Sequence, residues 1–175
     1  MTFVPPDLAQ IRTLARYNQW ANRRLYAAAA ALHEADYMRA LPSYFGSLHA
    51  TLNHILVGDR IWVGRLTGRA DTGIRSLDQI LYADLVGLRV AREAEDALII
   101  NYADELDEPT LNATLRYKTT KGDPHATSTR LVISHLFNHQ THHRGQCHGL
   151  LSALGVKEPP ELDLIFFVRA MNPPA

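Results

Sequence analysis

The sequence has few of the features of secreted, membrane or nucleic-acid-binding proteins. Cys147 is the only cysteine, so no disulfide can form within the chain, and we expect a cytoplasmic protein. No apolar run approaches the ~20 residues that cross a bilayer, and residues 1–6 lack the pattern of a secretory signal. Basic and acidic residues balance at 18 each, so no general charge favours nucleic acid or a membrane surface as a partner.

Several catalytic motifs are also missing. The chain has no Gly-x-Ser-x-Gly elbow, no glycine-rich phosphate loop and no Cys-x-x-Cys-His sequence for haem attachment. No Glu-x-x-His occurs, which excludes the carboxylate-bridged di-iron bundles. A zincin protease needs His-Glu-x-x-His, and here Gln140 replaces the glutamate, so that mechanism lacks its base.

Hydrophobic spacing predicts an all-α protein, a four-helix bundle in a single domain over residues 1–175. Ser76 and Gln79 resemble a capping box in front of the third helix. Residues 110–124 are rich in threonine and end in a Gly-Asp-Pro turn, which predicts two short strands or an extended crossover between helices three and four. The predicted helices run from Asp7 to about Leu32, Ser43 to Gly68, Leu77 to about Glu105 and Ser128 to Leu154, with a last apolar segment from Leu162 to Ala170 packing across the bundle.

Histidine is concentrated in the fourth predicted helix. Five of the nine histidines lie between His135 and His148. In a helix, His139 and His143 would lie about 40° apart around the axis and one turn apart along it. Both fall within the apolar arc, where packing alone does not easily satisfy two imidazoles. Neutral imidazole binds zinc, nickel, copper and iron, so we predict that this pair binds a divalent metal ion.

A third ligand should come from another helix, and His54 in helix two is the best candidate. It is in mid-helix near Gly58, whose missing side chain leaves room. Helical spacing nevertheless places it at the edge of the apolar arc, so the pattern alone leaves ligand and boundary residue equally open. His49 lies off the arc, and His33 and His125 lie at segment ends, so we expect these three to be exposed to solvent.

Other polar residues of these two helices are candidates for supporting roles. Asp59 falls in the middle of an apolar arc and needs a partner; we expect an arginine, Trp20 or Tyr17 rather than a role as catalytic base. Gln146 is on the histidine side as a possible hydrogen-bond donor. His135 or His142 could contact the ligands or carry protons, although a passive role is the simpler interpretation for both. We expect Cys147 to be a buried core residue and His148 to lie on a polar face.

The chain resembles the DinB/YfiT-like family of metalloenzymes nearly from end to end. Three motifs carry the resemblance: Tyr17-Asn-Gln-Trp-Ala-Asn22, Leu52-Asn-His-Ile-Leu-Val-Gly-Asp-Arg-Ile-Trp62 and Phe137-Asn-His-Gln-Thr-His-His-Arg-Gly-Gln146. The resemblance implies an up-down-down-up four-helix bundle with one metal ion, zinc, nickel or iron, held by His54, His139 and His143. It also implies a small-molecule or low-molecular-weight thiol substrate and a homodimer.

Two functional hypotheses follow, and we favour the first. The chain is a metal-dependent enzyme, similar to a thiol S-transferase or a hydrolase, with Asp59, His142 and Gln146 near the metal. Alternatively, it is a non-catalytic, metal-stabilised bundle with a binding role, because no general base is evident. A cavity over the metal would favour the enzyme, and rings closed off from any cavity would favour the alternative. Haem or copper binding through the same rings is a third, weaker hypothesis.

Overall fold

Helices make up most of the chain in the computed structural model, which describes residues 6–69 and 73–172. Of residues 1–6, which are predicted to lack a secretory signal, residues 1–5 lie outside the described ranges. None of the described helices has the length and hydropathy needed to cross a membrane. The elements in chain order are α1 (Leu8–Ala30), α2 (Glu34–Tyr37), α3 (Leu48–Thr67), α4 (Leu85–Glu105), α5 (Glu108–Asn112), β1 (Thr114–Lys118), β2 (Pro124–Ser128), α6 (Thr129–Ala153) and α7 (Leu164–Met171).

Side-chain caps explain where α1 and α3 begin. The Asp7 carboxylate accepts the backbone N–H of Gln10 at 2.7 Å, which starts α1 as predicted. The hydroxyl of Ser47 caps α3, so the predicted start at Ser43 is wrong by about one turn. The helix ends at Gly68, whose φ of +66° is a left-handed conformation that glycine adopts without strain.

The prediction that the third helix begins at Leu77 is wrong. Ser76 and Gln79 do not form a capping box on a helix, because α4 begins only at Leu85. The intervening segment is bound to α3 instead. The Asn53 side-chain oxygen accepts the backbone N–H groups of residues 81 and 82 at 2.8 and 3.1 Å. The peptide groups that a helix would use are therefore held by a side chain of α3.

The four long helices pack around two apolar clusters. Helix α1 contacts α4 and α6, and α3 contacts the same two helices. One cluster joins the C-terminal halves of α1 and α6 to the N-terminal halves of α3 and α4. The second cluster contains the opposite halves of the same helices. Helices α1 and α6 therefore run in one direction, and α3 and α4 run in the other.

Smaller elements complete the fold. Strands β1 and β2 pair antiparallel, with Thr114 opposite Ser128, and this hairpin occupies the region predicted to hold strands or a crossover. The prediction did not include the short helices α2 and α5. Helix α7 packs on α1 through Phe167, whose ring centroid lies 6.1 Å from that of Tyr17, as expected for the last apolar segment.

Candidate metal centre

Three histidine rings meet between α3 and α6. Helix α3 contributes His54, and α6 contributes His139 and His143 from successive turns. The Nε2 atom of His54 lies 3.1 Å from Nε2 of His139 and 3.2 Å from Nε2 of His143. One ligand nitrogen from each ring lies within 4.8 Å of the other two. The structure thus brings together the residues that the sequence suggested as ligands.

Hydrogen bonds at the far side of two rings fix which nitrogen carries the proton. Nδ1 of His54 bonds to the backbone carbonyl of Leu77 at 2.7 Å, and Nδ1 of His143 bonds to Oε1 of Gln146 at 2.7 Å. Both partners are acceptors, so each Nδ1 must be the donor. The two Nε2 atoms then carry no proton, and they lie 3.2 Å apart with their lone pairs facing each other. A cation between the rings would satisfy both lone pairs.

The spacing of the nitrogens fits a metal ion. With zinc–nitrogen bonds of about 2.0–2.1 Å, tetrahedral coordination places two ligand nitrogens about 3.3 Å apart. The observed separations from His54 are 3.1 and 3.2 Å. In addition, Nδ1 of His139 is buried and has no hydrogen-bond partner within residues 6–69 and 73–172. The cluster is compatible with one metal ion, and two of its three ligands are oriented by neutral acceptors.

Burial keeps all three rings in the neutral form that binds metal. Desolvation lowers the pKa of His139 to about 3, and the neighbouring histidines contribute to this shift. The pKa of His143 is lowered to about 4, mainly by desolvation. Desolvation also lowers the pKa of His54, although its bond to the Leu77 carbonyl opposes the change. Protons therefore compete weakly for these nitrogens at neutral pH.

Gly58 makes room for the ring of His139. A Cβ atom at this glycine would lie 2.5 Å from Cε1 of His139, which is closer than real contacts allow. The sequence singled out this glycine as leaving room next to His54, on the same helix. The structure shows that the space is filled from α6 instead.

A cavity of about 730 Å³ opens over the three rings. Phe45 forms part of its wall and stacks on His54, with ring centroids 4.0 Å apart. Because its volume lies within the range of small-molecule sites, it can admit a ligand next to the histidine nitrogens. The cavity is lined by Tyr44, Phe45, His54, Leu77, Asp78, His139, His142, His143 and Gln146.

Asp59 belongs to a separate buried network directly behind the histidines. Its carboxylate accepts hydrogen bonds from Arg92 of α4 and Gln140 of α6, which confirms the expected arginine partner; Trp20 and Tyr17 do not fill that role. Burial raises the pKa of Asp59 to about 7, against the opposing effect of Arg92. The carboxylate is fully buried and does not line the cavity. Its position supports a structural role.

The network extends across all four long helices. Asp96 of α4 forms an ion pair with Arg92 at 3.1 Å and accepts hydrogen bonds from Asn18 and Asn22 of α1. Arg144 of α6 donates to the side-chain oxygen of Asn18 and, at 3.1 Å, to that of Gln140. With Asp59, the network holds two carboxylates and two guanidinium groups, so its formal charges cancel.

The remaining histidines divide into exposed and structural ones. His142 is exposed, lines the cavity and accepts a hydrogen bond from the amide nitrogen of Gln146 at 3.2 Å. Gln146 is therefore a hydrogen-bond donor, as predicted, and its oxygen also accepts the hydrogen bond from His143. His33 and His125 are exposed as predicted. The prediction for His49 is wrong: it is 6% exposed, and its Nδ1 bonds to the Tyr37 hydroxyl at 2.8 Å.

Other side chains follow or extend the predictions. Cys147 is buried in the core as expected, and burial raises the pKa of its thiol. His135 is exposed and packs against Trp62, with ring centroids 4.9 Å apart. The sequence pattern did not single out two residues of the site: Phe45, which stacks on His54, and Leu77, whose contribution is a backbone carbonyl. A backbone group leaves no signal in side-chain patterns.

Comparison with known proteins identifies relatives over almost the whole chain. The model of the DinB family matches residues 7–172. Protein DinB of Bacillus subtilis strain 168 is 24% identical over 153 residues, which cover 84% of this chain and 87% of that protein. No solved structure matches the chain significantly.

Proposed function

This chain belongs to the DinB family, and on that basis we propose that it is a metal-dependent enzyme whose divalent ion is held by His54, His139 and His143. The observation that carries the proposal is the pair of unprotonated Nε2 atoms of His54 and His143, 3.2 Å apart, with His139 completing the triangle. The hydrogen bonds at Nδ1 of His54 and His143 leave each Nε2 without a proton of its own, and a divalent ion would satisfy these lone pairs together with that of His139.

The surrounding residues suit a catalytic rather than a purely structural metal. A closed structural zinc site has four protein ligands, whereas a catalytic site keeps a position open. Here three histidines face a cavity of about 730 Å³. A divalent ion would supply Lewis-acid chemistry, lowering the pKa of a thiol or water in the cavity or polarising a carbonyl. This openness supports the enzyme over a non-catalytic metal-stabilised bundle.

The chain's own residues would orient the ligands and shape the site. The Leu77 carbonyl and Gln146 hold two imidazoles in the tautomer that directs Nε2 inwards. Phe45 shields one face of His54 from water. His142 lies on the cavity wall, where its exposed ring can contact a bound thiol or water. We propose an S-transferase-like or hydrolase-like reaction on a small molecule.

The directions of the long helices support the proposed bundle topology, and the other parts of the proposal stay predictions. Helices α1 and α6 run opposite to α3 and α4, as an up-down-down-up four-helix bundle requires. A single domain, the homodimer and the cytoplasmic location stay predictions, as do the absence of nucleic-acid and membrane partners and the choice among zinc, nickel and iron.

Elemental analysis of the purified protein tests the metal site directly. We expect one divalent ion per chain in the wild type and none in His54→Ala, His139→Ala or His143→Ala. The matched control is His125→Ala, which removes an exposed histidine and should retain the metal. Stoichiometric metal in the three ligand variants would refute the site. Metal-dependent transfer of a small thiol to an added small electrophile by the wild type, but not by the three ligand variants, would support the enzymatic proposal.

A further inference from the structure

The mouth of the histidine cavity carries two large side chains that are poorly buried. Tyr44 is 90% exposed and Leu77 is 53% exposed, and both line the cavity. Tyr44 meets Phe45 edge to face, with ring centroids 4.9 Å apart. Exposed apolar groups that converge on a cavity mark a surface for an apolar ligand. Tyr44 and Phe45 thus lead from solvent to the ring of His54, and Leu77 lines the same cavity.

Apart from the metal ion that the histidines would hold, the side chains that line the cavity carry charge of one sign only. Among the described residues that line it, Asp78 is the single charged side chain, and there is no lysine or arginine. Its carboxylate is exposed, and its hydrogen bond with Ser76 lowers its pKa, so it is ionised at neutral pH. Asp78 and His54 line the same cavity, so a ligand group beside Asp78 meets a negative charge, whereas the inner end of the ligand would meet the metal ion.

From this arrangement we infer that the cavity accepts a small molecule with a flat, apolar body and a neutral or cationic outer end, and that it discriminates against an anionic outer end. The inference rests on the proposed metal centre, which would hold the inner end of the ligand. Tyr44, Phe45 and Leu77 contact the apolar body. Asp78 is the specificity-determining residue for charge.

Calorimetric titration with matched thiols tests this inference. The probes are three para-substituted benzyl mercaptans that share the ring and the thiol and end in methyl, aminomethyl or carboxymethyl groups. With zinc-loaded protein, we expect the affinity to fall from the cationic through the neutral to the anionic probe, with about a tenfold difference between the cationic and the anionic one, because one full charge at the mouth acts through partly screened solvent.

Two variants separate charge from shape. Asp78→Asn should bring the affinities for the cationic and anionic probes to within about twofold of each other and leave the neutral probe unchanged. Tyr44→Ala should weaken all three probes by about three- to tenfold without changing their order, because it removes apolar contact alone. The control is Glu105→Gln, which removes an exposed carboxylate outside the cavity and should preserve the discrimination.

The outcomes distinguish this inference from the proposed function. Equal affinity for the three probes in the wild type, or unchanged discrimination in Asp78→Asn, would overturn the inference. Zinc is measured in the same samples, and bound zinc would uphold the metal centre in either case. Protein that cannot be loaded with zinc would refute the metal centre itself. Loss of discrimination confined to Asp78→Asn would support the inference.

Discussion

Two polar clusters lie next to each other between α3 and α6, and they are built in opposite ways. Consecutive residues belong to different clusters: Gly58 and His139 belong to the histidine centre, and Asp59 and Gln140 belong to the charged network. The network is sealed from solvent, with Asp59 and Gln140 both at 0% exposure. The histidine centre opens into a cavity instead. On each of the two helices, a step of one residue therefore leads from the open histidine centre to the sealed charged network.

The difference lies in how each cluster satisfies its polar groups. In the network, two carboxylates face two guanidinium groups, and amide side chains join them. In the centre, the three rings are neutral, and lone pairs of His54 and His143 meet without a proton between them. Matched charges that are buried hold helices together. Unmatched lone pairs in an open cavity indicate that a ligand from outside completes the cluster.

Breaking the network should lower the free energy of unfolding more than any other single substitution that we propose. Asp59→Ala leaves the Arg92 guanidinium buried with one carboxylate fewer. We expect the free energy of unfolding to fall by about 3–5 kcal/mol, the usual cost of stranding one member of a buried ion pair. Urea denaturation of the metal-free protein measures it. A loss below about 1 kcal/mol would contradict the structural role of the network.

Gly58→Ala should have the opposite effect to Asp59→Ala: it should weaken metal binding without lowering the stability of the metal-free protein. The new methyl group would displace the His139 ring, a side chain that can move without disturbing the backbone. We expect metal affinity to fall by at least about 100-fold, more than an outer-sphere change usually costs. The stability of the metal-free protein should be unchanged or rise by up to about 1 kcal/mol, because alanine favours helix over glycine.

Competition with a chromogenic chelator measures that affinity, and chemical denaturation measures the stability. Gly149→Ala provides the matched control, because a Cβ at this helical glycine of α6 would meet nothing within 4 Å. If Gly58→Ala kept wild-type affinity, the proposed role of His139 as a ligand would be contradicted.

The contrast between the two clusters also explains how much the sequence could predict. His139 and His143 lie on one helix, so their relative position follows from helical geometry alone. His54 could not be placed by spacing, because every residue from 51 to 59 is buried. A helix surrounded on all sides has no polar face against which a boundary residue can be recognised. Only the resemblance to a family assigned it to the site.

The wrong predictions have the same cause. His49 was expected in solvent, but Tyr37 of the short helix α2 and the side chain of Asn53 cover it. The predicted start of the third helix failed because residues 77–84 are bound to α3. Contacts that form between segments distant in sequence decide both outcomes. Caps and periodicity, which are local, correctly gave the bounds of α1 and α6 to within two residues.

Gln146→Leu should weaken the centre while leaving the fold intact. The substitution removes the acceptor that holds Nδ1 of His143 at 2.7 Å, so the ring loses its preferred tautomer and orientation. We expect metal affinity to fall by about 10–100-fold, the usual effect of losing such an outer partner. The same chelator competition measures it. Gln10→Leu, at an exposed position on α1, is the control. Equal affinity in both variants would show that Gln146 does not orient the ligand.

His49 offers the finest test of the comparison, because it is a histidine of α3 that the protein satisfies internally. Its Nδ1 bonds to the Tyr37 hydroxyl, and burial lowers its pKa below the ordinary 6.5. The unfolded chain therefore binds a proton more readily than the folded one. The stability that His49 contributes is present above pH 6.5 and is lost as pH falls towards its lower folded pKa.

We therefore expect the metal-free wild type to lose more stability than His49→Gln between pH 7.5 and pH 5, with a difference of at most about 2 kcal/mol. Urea denaturation across this range, with a chelator present, measures it, and the three ring ligands cancel because both proteins contain them. Metal content should be the same in both proteins, since both nitrogens of His49 face other side chains. If the free energies of unfolding of the two proteins changed in parallel with pH, the ring of His49 would not be held neutral by the fold. The distinction between His49, satisfied by the protein itself, and His54, a proposed metal ligand, would then fail.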